Sequence, residues 1–530
     1  MSVKRVVLAD ALAPEGVRLL EQSGGLLVED CSSRPRDDLK RALVGAAGLI
    51  VRSATLVDSD LIAGADALEV IGRAGAGLDN IDVEAASRRG IAVINAPAGN
   101  TTSTAELALA LLLSVARGIP AADRSVREGR WERKAFGGVQ LGGKTLGVIG
   151  AGRIGTEVIL RAQAFGMEVL VADPYLPPER SRDLGVEVLP LDDLLARADF
   201  VSVHAPLTEE TRGLLGEKEL ARLKDSAFLV NTARGGIVDE EALARALSAG
   251  SLAGAALDVL AVEPLPRDHP LRSAPRLVLT PHLGAQTPDA QRQVALEVAR
   301  HVRDALLQRD YRAVVNLPGV ERTDRERLGP VLDLARRLGV VLSEVAGERC
   351  RRVDVRVDGG PDRGLRMVAA AAMEGYLRRS LADPVNLINS MLLAAERGIE
   401  VTRARAAGSP RLDCTVELRA RTNGSDVVVT GALEDGDCRL RRVDGYHVDV
   451  EPRGHMLLVR NRDVPGVIGD IGTRLGRSGV NIAEFHQARD PETGEALAVL
   501  ALDDPVSPEL LADLRALPAI LDARQVSLDR

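Results

Sequence analysis

The chain has 530 residues, which is too long for one hydrophobic core and predicts three or four domains. Hydrophobic residues make up 45% of the sequence and charged residues 27%, an ordinary globular composition. The formal net charge of -8 gives no reason to expect nucleic acid or an anionic membrane as a partner. Aromatic residues account for only 2%, so the cores must be built from Ala, Leu, Val and Ile.

The cysteines and the apolar segments indicate the cellular compartment in which the protein is expected. The four cysteines are scattered and form no C-x-x-C pair, which fits a reducing cytosol and predicts no metal site. The sequence begins "MSVKRVVLAD" and runs straight into a strand, without the pattern of a signal peptide. The most apolar helix, "AELALALLLSVA", contains Glu106 and is too short to span a bilayer. We therefore expect a cytoplasmic protein.

The first three hundred residues alternate short Val/Ile/Leu runs with Ala-rich amphipathic stretches. Runs such as "VKRVVLA", "GLIVRS" and "LEVIGRAG" are followed by a second series that includes "KTLGVIGAG", "DFVSVHAP" and "RLVLTPH". This alternation predicts an α/β fold with two Rossmann-like, doubly wound parallel sheets. The helices Thr104–Arg117 and Pro288–Leu307 flank the second series, which makes the first domain discontinuous. The predicted boundaries are 1–98 plus 287–317 for the first domain and 99–286 for the second.

The pattern of the sequence changes after Pro318. A charge-dense helix, an alternating strand and antiparallel hairpins predict an α+β domain over 318–452. From 453 to 530 a compact βαββα pattern predicts a small fourth domain that begins "HMLLVRNRDVPGVIGDIG".

A dinucleotide-binding fingerprint lies in "KTLGVIGAGRIGTEVILRAQAFGMEVLVADPY". Gly150, Gly152 and Gly155 follow a strand and open an amphipathic helix, and Asp173 ends the next strand. The glycines permit the tight turn, the approach of a pyrophosphate and close packing of the helix. The Asp173 carboxylate accepts hydrogen bonds from a ribose diol and repels a 2′-phosphate, so NAD is the predicted cofactor.

Three polar residues follow strand ends in the second series. Arg234 ends "AFLVNTARGG", Glu263 follows "LAGAALDVLAVEP" and His282 follows "RLVLTPH". Because ligands bind outside the carboxyl ends of parallel strands, we expect these side chains to converge. A histidine can take the hydroxyl proton of a 2-hydroxy acid, a carboxylate can orient it, and an arginine can hold the substrate carboxylate. The three residues are the predicted catalytic group.

These motifs together resemble the D-isomer-specific 2-hydroxyacid dehydrogenase family. The resemblance implies that the catalytic trio contacts the cofactor and adds further cofactor-binding positions, which are Arg153, Ile154, Ala205, Pro206, Thr232, Ala233, Arg234, Asp258, His282, Leu283, Gly284 and Ala285. Asp258 is expected to face the carboxamide of the nicotinamide. His204 either lines the cofactor crevice or is structural.

The resemblance also implies substrate loops in the first domain. They contain Arg52, Ser53, Arg73, Gly75, Ala76, Gly77 and Asn100. Ala76 departs from the family, where many members have a hydroxyl or a larger aliphatic residue, so no side-chain contact to the cofactor is expected there. Arg133 and Lys134 either supply phosphate-binding charge to a neighbouring subunit or are a solvated pair.

The last two domains point to the substrate. Residues 318–452 resemble the intervening domain of long-form D-3-phosphoglycerate dehydrogenases, and the tail resembles the ACT family of βαββαβ regulatory domains. This implies oxidation of 3-phospho-D-glycerate in L-serine synthesis, with L-serine as an effector and a homo-oligomer, commonly a tetramer. The implied effector residues are Asp463, Pro465, Gly466 and Asn481.

Two other functions stay open at this stage. A glyoxylate/hydroxypyruvate-type reductase shares the front domains, although such chains typically stop near residue 320. A dehydrogenase-like, NAD-sensing corepressor also shares this fold, and the intact catalytic trio does not exclude it.

Overall fold

The computed structural model describes residues 3–308, 310–311, 313–317, 322–347, 350–359, 364–381, 384–406, 414–422, 426–434 and 436–528. Within these residues the chain forms four β-sheets, with five, seven, six and four strands in chain order. The predicted fold class, two parallel sheets followed by two α+β units, is confirmed.

The first sheet is parallel throughout, in the order β2-β1-β3-β4-β5. Its strands are β1 (Lys4–Leu8), β2 (Leu26–Asp30), β3 (Gly48–Val51), β4 (Val70–Arg73) and β5 (Ala92–Asn95). Its helices are α1 (Pro14–Glu21), α2 (Arg36–Leu43), α3 (Ser59–Ala63) and α4 (Val83–Arg88). The central strands are continuously apolar because the packed elements cover both faces and bury them.

The second sheet is also parallel, in the order β12-β11-β10-β9-β6-β7-β8. The strands are β6 (Thr145–Ile149), β7 (Glu168–Ala172), β8 (Glu187–Val188), β9 (Phe200–Val203), β10 (Phe228–Asn231), β11 (Gly254–Leu257) and β12 (Leu277–Leu279). The order reverses between β6 and β9, which opens a ligand crevice at their carboxyl ends.

Two long helices cross between these sheets. The helices of this part are α5 (Thr101–Arg117), α6 (Ile119–Arg127), α7 (Arg153–Ala164), α8 (Pro178–Asp183), α9 (Leu191–Arg197), α10 (Glu217–Leu220), α11 (Glu240–Ala249) and α12 (Pro288–Gln308). Helix α5 packs on α7 and β10, whereas α12 returns to α1 and β4. A Cβ at Gly72 would lie 2.6 Å from Val302 Cγ2, so α12 requires glycine there. The chain then reaches β5 again, where Val315 N donates to Val93 O at 2.7 Å.

The intervening domain packs three helices on a mixed sheet. The elements are α13 (Arg322–Ala346), β13 (Cys350–Gly359), α14 (Leu365–Leu377), α15 (Ser390–Glu396), β14 (Glu400–Arg405), β15 (Cys414–Thr422), β16 (Asp426–Glu434), β17 (Asp437–Val443) and β18 (Tyr446–Val450). The predicted antiparallel hairpins are confirmed, and β14 adds a parallel pairing with β13. Met367, Leu387 and Ile388 pack into the core of the first domain.

The last unit has the βαββαβ order. Its elements are β19 (His455–Arg462), α16 (Val467–Arg477), β20 (Ile482–Asp490), β21 (Glu495–Leu502), α17 (Pro508–Arg515) and β22 (Ile520–Ser527). Alternate residues of β19 point to opposite faces of the sheet and pack into two different cores. Leu457 and Val459 pack into the core of this last unit, and Met456 and Leu458 pack into the core of the intervening domain. The two domains therefore share buried apolar surface.

Among the described helices, no single one has the length and apolar content needed to cross a membrane. Helices α5 and α6 reach that length and composition only as a pair bent by 62°. One face of α5 is buried in the core of the second sheet.

Candidate active site

The predicted cofactor and catalytic residues follow the strands of the second sheet at one edge. The glycine loop follows β6, Asp173 follows β7, His204 follows β9, Thr232 follows β10 and the His282 loop follows β12. Parallel strands place all these carboxyl ends on the same side of the sheet. The sequence therefore brings these residues together as predicted.

The glycine loop has the shape that a dinucleotide requires. Gly150 has φ +90°, and a Cβ at Gly155 would lie 2.1 Å from Gly150 O, so neither position accepts a side chain without strain. Gly152 caps α7, and no protein atom lies within 4 Å of its would-be Cβ. That open position at a helix N-terminus is where a pyrophosphate would approach the backbone amides.

Asp173 is fixed at the end of β7 by backbone hydrogen bonds. Its carboxylate accepts from Ala151 N at 2.8 Å and from Tyr175 N at 2.9 Å. The carboxylate thus lies beside the glycine loop, and its contact with a ribose diol stays a prediction. The donor set of this crevice fits NAD.

His204 lies beneath the glycine loop. Its Nε2 lies 2.8 Å from Ser202 Oγ, and its Cβ is 3.6 Å from the position that a Cβ of Gly155 would take. Burial lowers the pKa of His204 to about 4, so the ring is neutral at physiological pH. The structural interpretation is favoured: His204 supports the loop rather than exchanging protons.

His282 and Glu263 form a close pair. Glu263 Oε2 lies 2.9 Å and Oε1 3.2 Å from His282 Nδ1, and Oε1 also accepts from Leu260 N at 3.0 Å. A carboxylate on Nδ1 favours the tautomer with a proton there, which leaves Nε2 to exchange a proton with substrate. The two side chains are therefore in contact as predicted, and their roles as acid/base and orienting residue stay a prediction.

Asp258 holds the loop that carries His282. Its buried carboxylate accepts from Thr280 Oγ1 at 2.6 Å, Leu283 N at 2.7 Å and Gly284 N at 2.9 Å. His282 itself has φ +56°, a left-handed conformation that a non-glycine residue adopts only where its surroundings enforce it. The described contacts of Asp258 are with this loop, so its contact with a nicotinamide carboxamide stays a prediction.

Arg234 reaches from the second domain to the first. Its Nε lies 3.1 Å from Asp79 Oδ2, and its Nη1 donates to Ala233 O at 2.7 Å. Buried Asn231 shapes this turn, because its side chain donates to Arg234 O at 2.8 Å and accepts from Ala233 N at 2.9 Å. The guanidinium is thereby placed across the cleft between the two domains.

The first domain contributes a basic cluster to the same cleft. Burial, and then the charges of Arg234 and Arg52, lower the pKa of Arg73 to about 10, which still leaves it cationic at neutral pH. Asp10 accepts from Arg52 N at 2.5 Å and from Thr55 Oγ1 at 2.8 Å, which fixes the Arg52 loop. Three like charges held together favour binding of an anion.

Several polar atoms around the cleft lack a partner within the described residues. They are Arg73 Nε, Asn100 Oδ1, Thr232 Oγ1 and His204 Nδ1, all buried. Buried polar atoms are normally hydrogen-bonded, so unpaired ones that border a crevice are consistent with a site for ligand or water. Asn100 and Thr232 are both predicted site residues.

The start of α5 is hydrogen-bonded to the loop that carries His282. Ser103 Oγ and Thr104 Oγ1 donate to Gly284 O at 2.8 and 3.1 Å. Ala285 lines a small cavity together with Arg52 and Ala74 of the first domain. The element that links the domains therefore also positions the loop of His282.

The other predicted residues occupy the same region. Arg153 and Ile154 begin α7, Ala205 and Pro206 follow β9, and Ser53, Gly75, Ala76 and Gly77 lie in loops after β3 and β4. Arg133 and Lys134 lie in an exposed 3₁₀ turn away from these loops in the sequence, and nothing within the described chain gives them a ligand role.

The predicted effector residues lie at opposite ends of the fourth sheet. Asp463, Pro465 and Gly466 form the loop after β19, and Asn481 precedes β20. The register pairs Arg462 with Glu495, whereas Ile482 pairs with Leu502 at the far end of β21. Seven residues of strand separate these ends by roughly 23 Å, so one chain does not bring the two sets together.

Sequence reasoning missed the residues that hold the site. They are Asp10, Asp79, Asn80, Ser103, Thr104 and Asn231, of which Asn80 donates to Arg52 O and Thr55 O. Polar Asp10 and Asn231 directly follow or end apolar strand runs, and that signal was available in the sequence. The others bond across turns or between domains, which a linear pattern does not reveal.

Three family models match the chain in order. They are the NAD binding domain of the D-isomer specific 2-hydroxyacid dehydrogenases at residues 109–284, the D-3-phosphoglycerate dehydrogenase intervening domain at 327–444 and the ACT domain at 455–519.

Curated relatives match over the full length. D-3-phosphoglycerate dehydrogenase of Archaeoglobus fulgidus is 40% identical over 527 residues, covering 99% of this chain and 100% of its own. The Mycobacterium tuberculosis protein of the same name is 42% identical over 532 residues, covering 100% and 99%.

Solved structures match part of the chain. The TT0316 protein from Thermus thermophilus gives a TM-score of 0.54 at 39% identity, and a glyoxylate reductase from Paecilomyes thermophila gives 0.55 at 32%. Each match covers 59% of this chain and 99% of the other.

The parallel sheets, the glycine loop and the paired His282 and Glu263 define an NAD-dependent dehydrogenase of the 2-hydroxyacid class. The match continues through the intervening and ACT domains. The chain belongs to the D-3-phosphoglycerate dehydrogenase family.

Proposed function

We propose that the protein oxidises 3-phospho-D-glycerate to 3-phosphohydroxypyruvate with NAD, as the entry reaction to L-serine synthesis. The observation that carries the proposal is the contact of His282 with Glu263, together with the cluster of Arg52, Arg73 and Arg234. The full-length similarity to proteins named D-3-phosphoglycerate dehydrogenase supports it.

The chain's own residues provide binding and proton transfer. His282 takes the proton of the C2 hydroxyl at Nε2, and Glu263 stabilises the imidazolium that results. Arg234 holds the substrate carboxylate and polarises the C2 oxygen. NAD, bound over the glycine loop, supplies the acceptor for the hydride from C2.

The charge of the cleft suits a substrate with two anionic groups. A carboxylate and a phosphate monoester together carry close to three negative charges at neutral pH. Arg52, Arg73 and Arg234 supply three positive charges, and the nearby carboxylates of Asp10 and Asp79 offset only part of them. A substrate without the phosphate would leave more of this charge uncompensated.

The substrate assay separates the alternatives. We expect NADH formation from 3-phospho-D-glycerate, with kcat/KM at least a hundredfold above that for D-glycerate. Turnover confined to non-phosphorylated acids would instead support a glyoxylate/hydroxypyruvate-type reductase. Tight NADH binding without any turnover would support an NAD sensor. The glyoxylate reductase structure covers only 59% of this chain, whereas proteins named D-3-phosphoglycerate dehydrogenase match its full length, which favours the first outcome.

We also propose feedback inhibition by L-serine at an interface between two ACT domains. Asp463 can pair with the ammonium group of an amino acid, and Asn481 can bind its carboxylate. Because these residues lie at opposite ends of one sheet, a second copy of the chain must bring them together. Asp463 Oδ2 lies 3.4 Å from Arg489 Nε, a contact that an incoming ammonium would replace.

Point variants of the full chain test the effector site. Asp463→Asn and Asn481→Ala should abolish inhibition by L-serine with little change in turnover, while Asp504→Asn, an exposed position of the same domain, should retain it. Inhibition that survives in both site variants would contradict the assignment. Point variants are preferable to truncation after Leu317, since truncation would expose the apolar contacts of Met367 and Leu387 with the first domain.

We further propose that the protein forms a homo-oligomer, namely a tetramer. Exposed apolar side chains lie on α6 and α7 and on the segment after α6; they are Ile119, Val126, Trp131, Leu160 and Phe165. A second copy of the chain would cover such side chains. The four free cysteines fit a reducing cytoplasm. The packing of α12 on α1 supports the boundaries 1–98 plus 287–317 and 99–286, followed by 318–452 and 453–530.

A further inference from the structure

A second pair of a histidine and a glutamate lies beside the Glu263 loop, which comprises residues 259–263. His269 Nε2 is 3.4 Å from Glu240 Oε2, and the two side chains are only 19% and 9% exposed. Glu240 is the first residue of α11, and His269 precedes a short 3₁₀ turn at Pro270–Arg272. A carboxylate is seldom this buried unless hydrogen-bond donors bind its oxygens. The proposed reaction assigns no role to either residue.

The second oxygen of Glu240 holds the Glu263 loop directly. Glu240 Oε1 accepts from Ala261 N at 2.5 Å. The preceding amide, Leu260 N, donates to Glu263 Oε1 at 3.0 Å, and Glu263 Oε2 lies 2.9 Å from His282 Nδ1. Two successive amides of one loop are therefore each bound by a glutamate, and one of these glutamates contacts the predicted acid/base.

The hydrogen bonds of His269 set its donor toward Glu240. His269 Nδ1 accepts from Leu271 N at 3.3 Å, so this nitrogen carries no proton. The ring proton is then on Nε2, the nitrogen that contacts Glu240 Oε2. A donor on that side attracts Oε2 and leaves Oε1 to the amide of Ala261. His269 therefore orients the Glu240 carboxylate.

Glu240 has a fixed support, and the loop that it holds is closely packed. The Asp239 carboxylate caps α11 by accepting from two backbone amides of its first turn, at 3.1 and 3.0 Å. A Cβ at Gly235 would lie 2.0 Å from Leu260 O, so the Glu263 loop lies directly against the turn that follows β10. A change at the Glu240 side chain therefore acts first on this loop, because α11 keeps its own cap.

We propose that Glu240 is a positioning residue of the reaction, with His269 as the residue that orients it. Glu240 keeps the Glu263 loop in the conformation that holds Glu263 against His282, so it acts through Glu263 rather than on the substrate. This inference rests on the proposed function, since it requires that the contact of Glu263 with His282 serves proton transfer. Its consequence is a slower chemical step with unchanged cofactor binding, because the glycine loop and Asp173 lie outside these contacts.

Steady-state kinetics of full-length variants test the positioning role. Glu240→Ala removes both contacts, so kcat with NAD and 3-phosphoglycerate should fall about tenfold or more, while the dissociation constant of NADH stays within about threefold. Glu240→Gln keeps an oxygen for Ala261 N but turns an NH2 group toward His269, so its kcat should lie between those of Glu240→Ala and the unaltered protein. Glu241→Gln, an exposed neighbour on the same helix, is the matched control and should keep the unaltered kcat.

The pH profile distinguishes positioning from a general loss of stability. Glu263 stabilises the imidazolium form of His282, so its displacement in Glu240→Ala should move the acidic limb of kcat/KM for oxidation to lower pH, by roughly half a unit or more. A variant that only lost folded protein would keep the limb in place, because a smaller active fraction lowers the rate equally at every pH. His269→Asn, which keeps an oxygen to cap the 3₁₀ turn, should show the same shift to a smaller extent.

Hydrogen–deuterium exchange reads the Glu263 loop without any substrate. We expect the amides of residues 259–263 to exchange about tenfold faster in Glu240→Ala than in the unaltered protein or in Glu241→Gln. If Glu240→Ala does not fold, the same readouts are taken from Glu240→Gln and His269→Asn. Unchanged exchange in this segment, an unchanged kcat or an unmoved acidic limb would each overturn the inference. Absence of turnover with 3-phosphoglycerate in the unaltered protein would overturn the proposed function instead, and the exchange measurement would still decide whether Glu240 holds the loop.

Discussion

Replacing Asp258 by Asn tests whether this carboxylate works by holding the catalytic loop. The carboxylate accepts three hydrogen bonds, from Thr280 Oγ1, Leu283 N and Gly284 N, in a site that is 1% exposed. An amide has one acceptor oxygen, so its NH2 group would face a backbone N–H donor. Loss of one hydrogen bond to a buried charge costs about 1.5–3 kcal/mol. His282 has a left-handed backbone conformation, which is strained, so the loop is expected to leave its present conformation more readily once this support is weakened.

We expect kcat of Asp258→Asn to fall about tenfold to a hundredfold, since about 1.4 kcal/mol corresponds to a factor of ten. The dissociation constant of NADH should stay within about threefold, because the glycine loop and Asp173 are untouched. Steady-state kinetics and NADH titration measure the two quantities, with exposed Asp225→Asn as the matched control. A variant that keeps its kcat but binds NADH weakly would refute the reasoning and assign Asp258 to the cofactor.

Three further predictions concern the same crevice. Gly152→Ala should leave the free energy of unfolding nearly unchanged, because its Cβ meets no protein atom, yet it should weaken NADH binding at least tenfold. Gly155→Ala, whose Cβ would lie 2.1 Å from Gly150 O, should lower both the free energy of unfolding and the affinity for NADH. Equal behaviour of the two variants in denaturant titration and NADH binding would contradict this. The pKa of His204 is lowered to about 4 in the folded state, so the unfolded state binds more protons between pH 6.5 and 4. The free energy of unfolding should therefore decrease by roughly 3 kcal/mol as the pH falls from 6.5 to 4. The decrease should be smaller in His204→Gln, and parallel curves of stability against pH for the two proteins would contradict this. Asn231→Ala should lower kcat/KM for 3-phosphoglycerate about tenfold or more by releasing the Arg234 turn, and wild-type kinetics in this variant would show that the turn is held by other contacts.

The fold followed from the sequence where one local pattern decided the structure. The apolar runs of β6 to β12 and the glycine fingerprint predicted the second sheet and its crevice, because strands buried on both faces must be apolar throughout. The carboxyl-end rule predicted that Glu263 and His282 meet, and the two side chains are in contact, whereas the convergence of Arg234 with them stays a prediction.

What the sequence did not predict depends on contacts between distant segments. The bonds from Asp10 to the Arg52 loop and from Ser103 to Gly284 join residues separated by 42 and 181 positions. The role of Asp258 was also hidden, because a carboxylate after a strand can equally face a ligand or its own neighbouring loop.

The most direct test of the catalytic assignment is the turnover of His282→Asn with NAD and 3-phosphoglycerate, measured beside its affinity for NADH. If His282 exchanges the proton of the C2 hydroxyl, turnover falls at least a thousandfold while NADH binds as in the unaltered protein. Substantial turnover in this variant would mean that another group accepts the proton. The contact between His282 and Glu263 would then not contribute to catalysis.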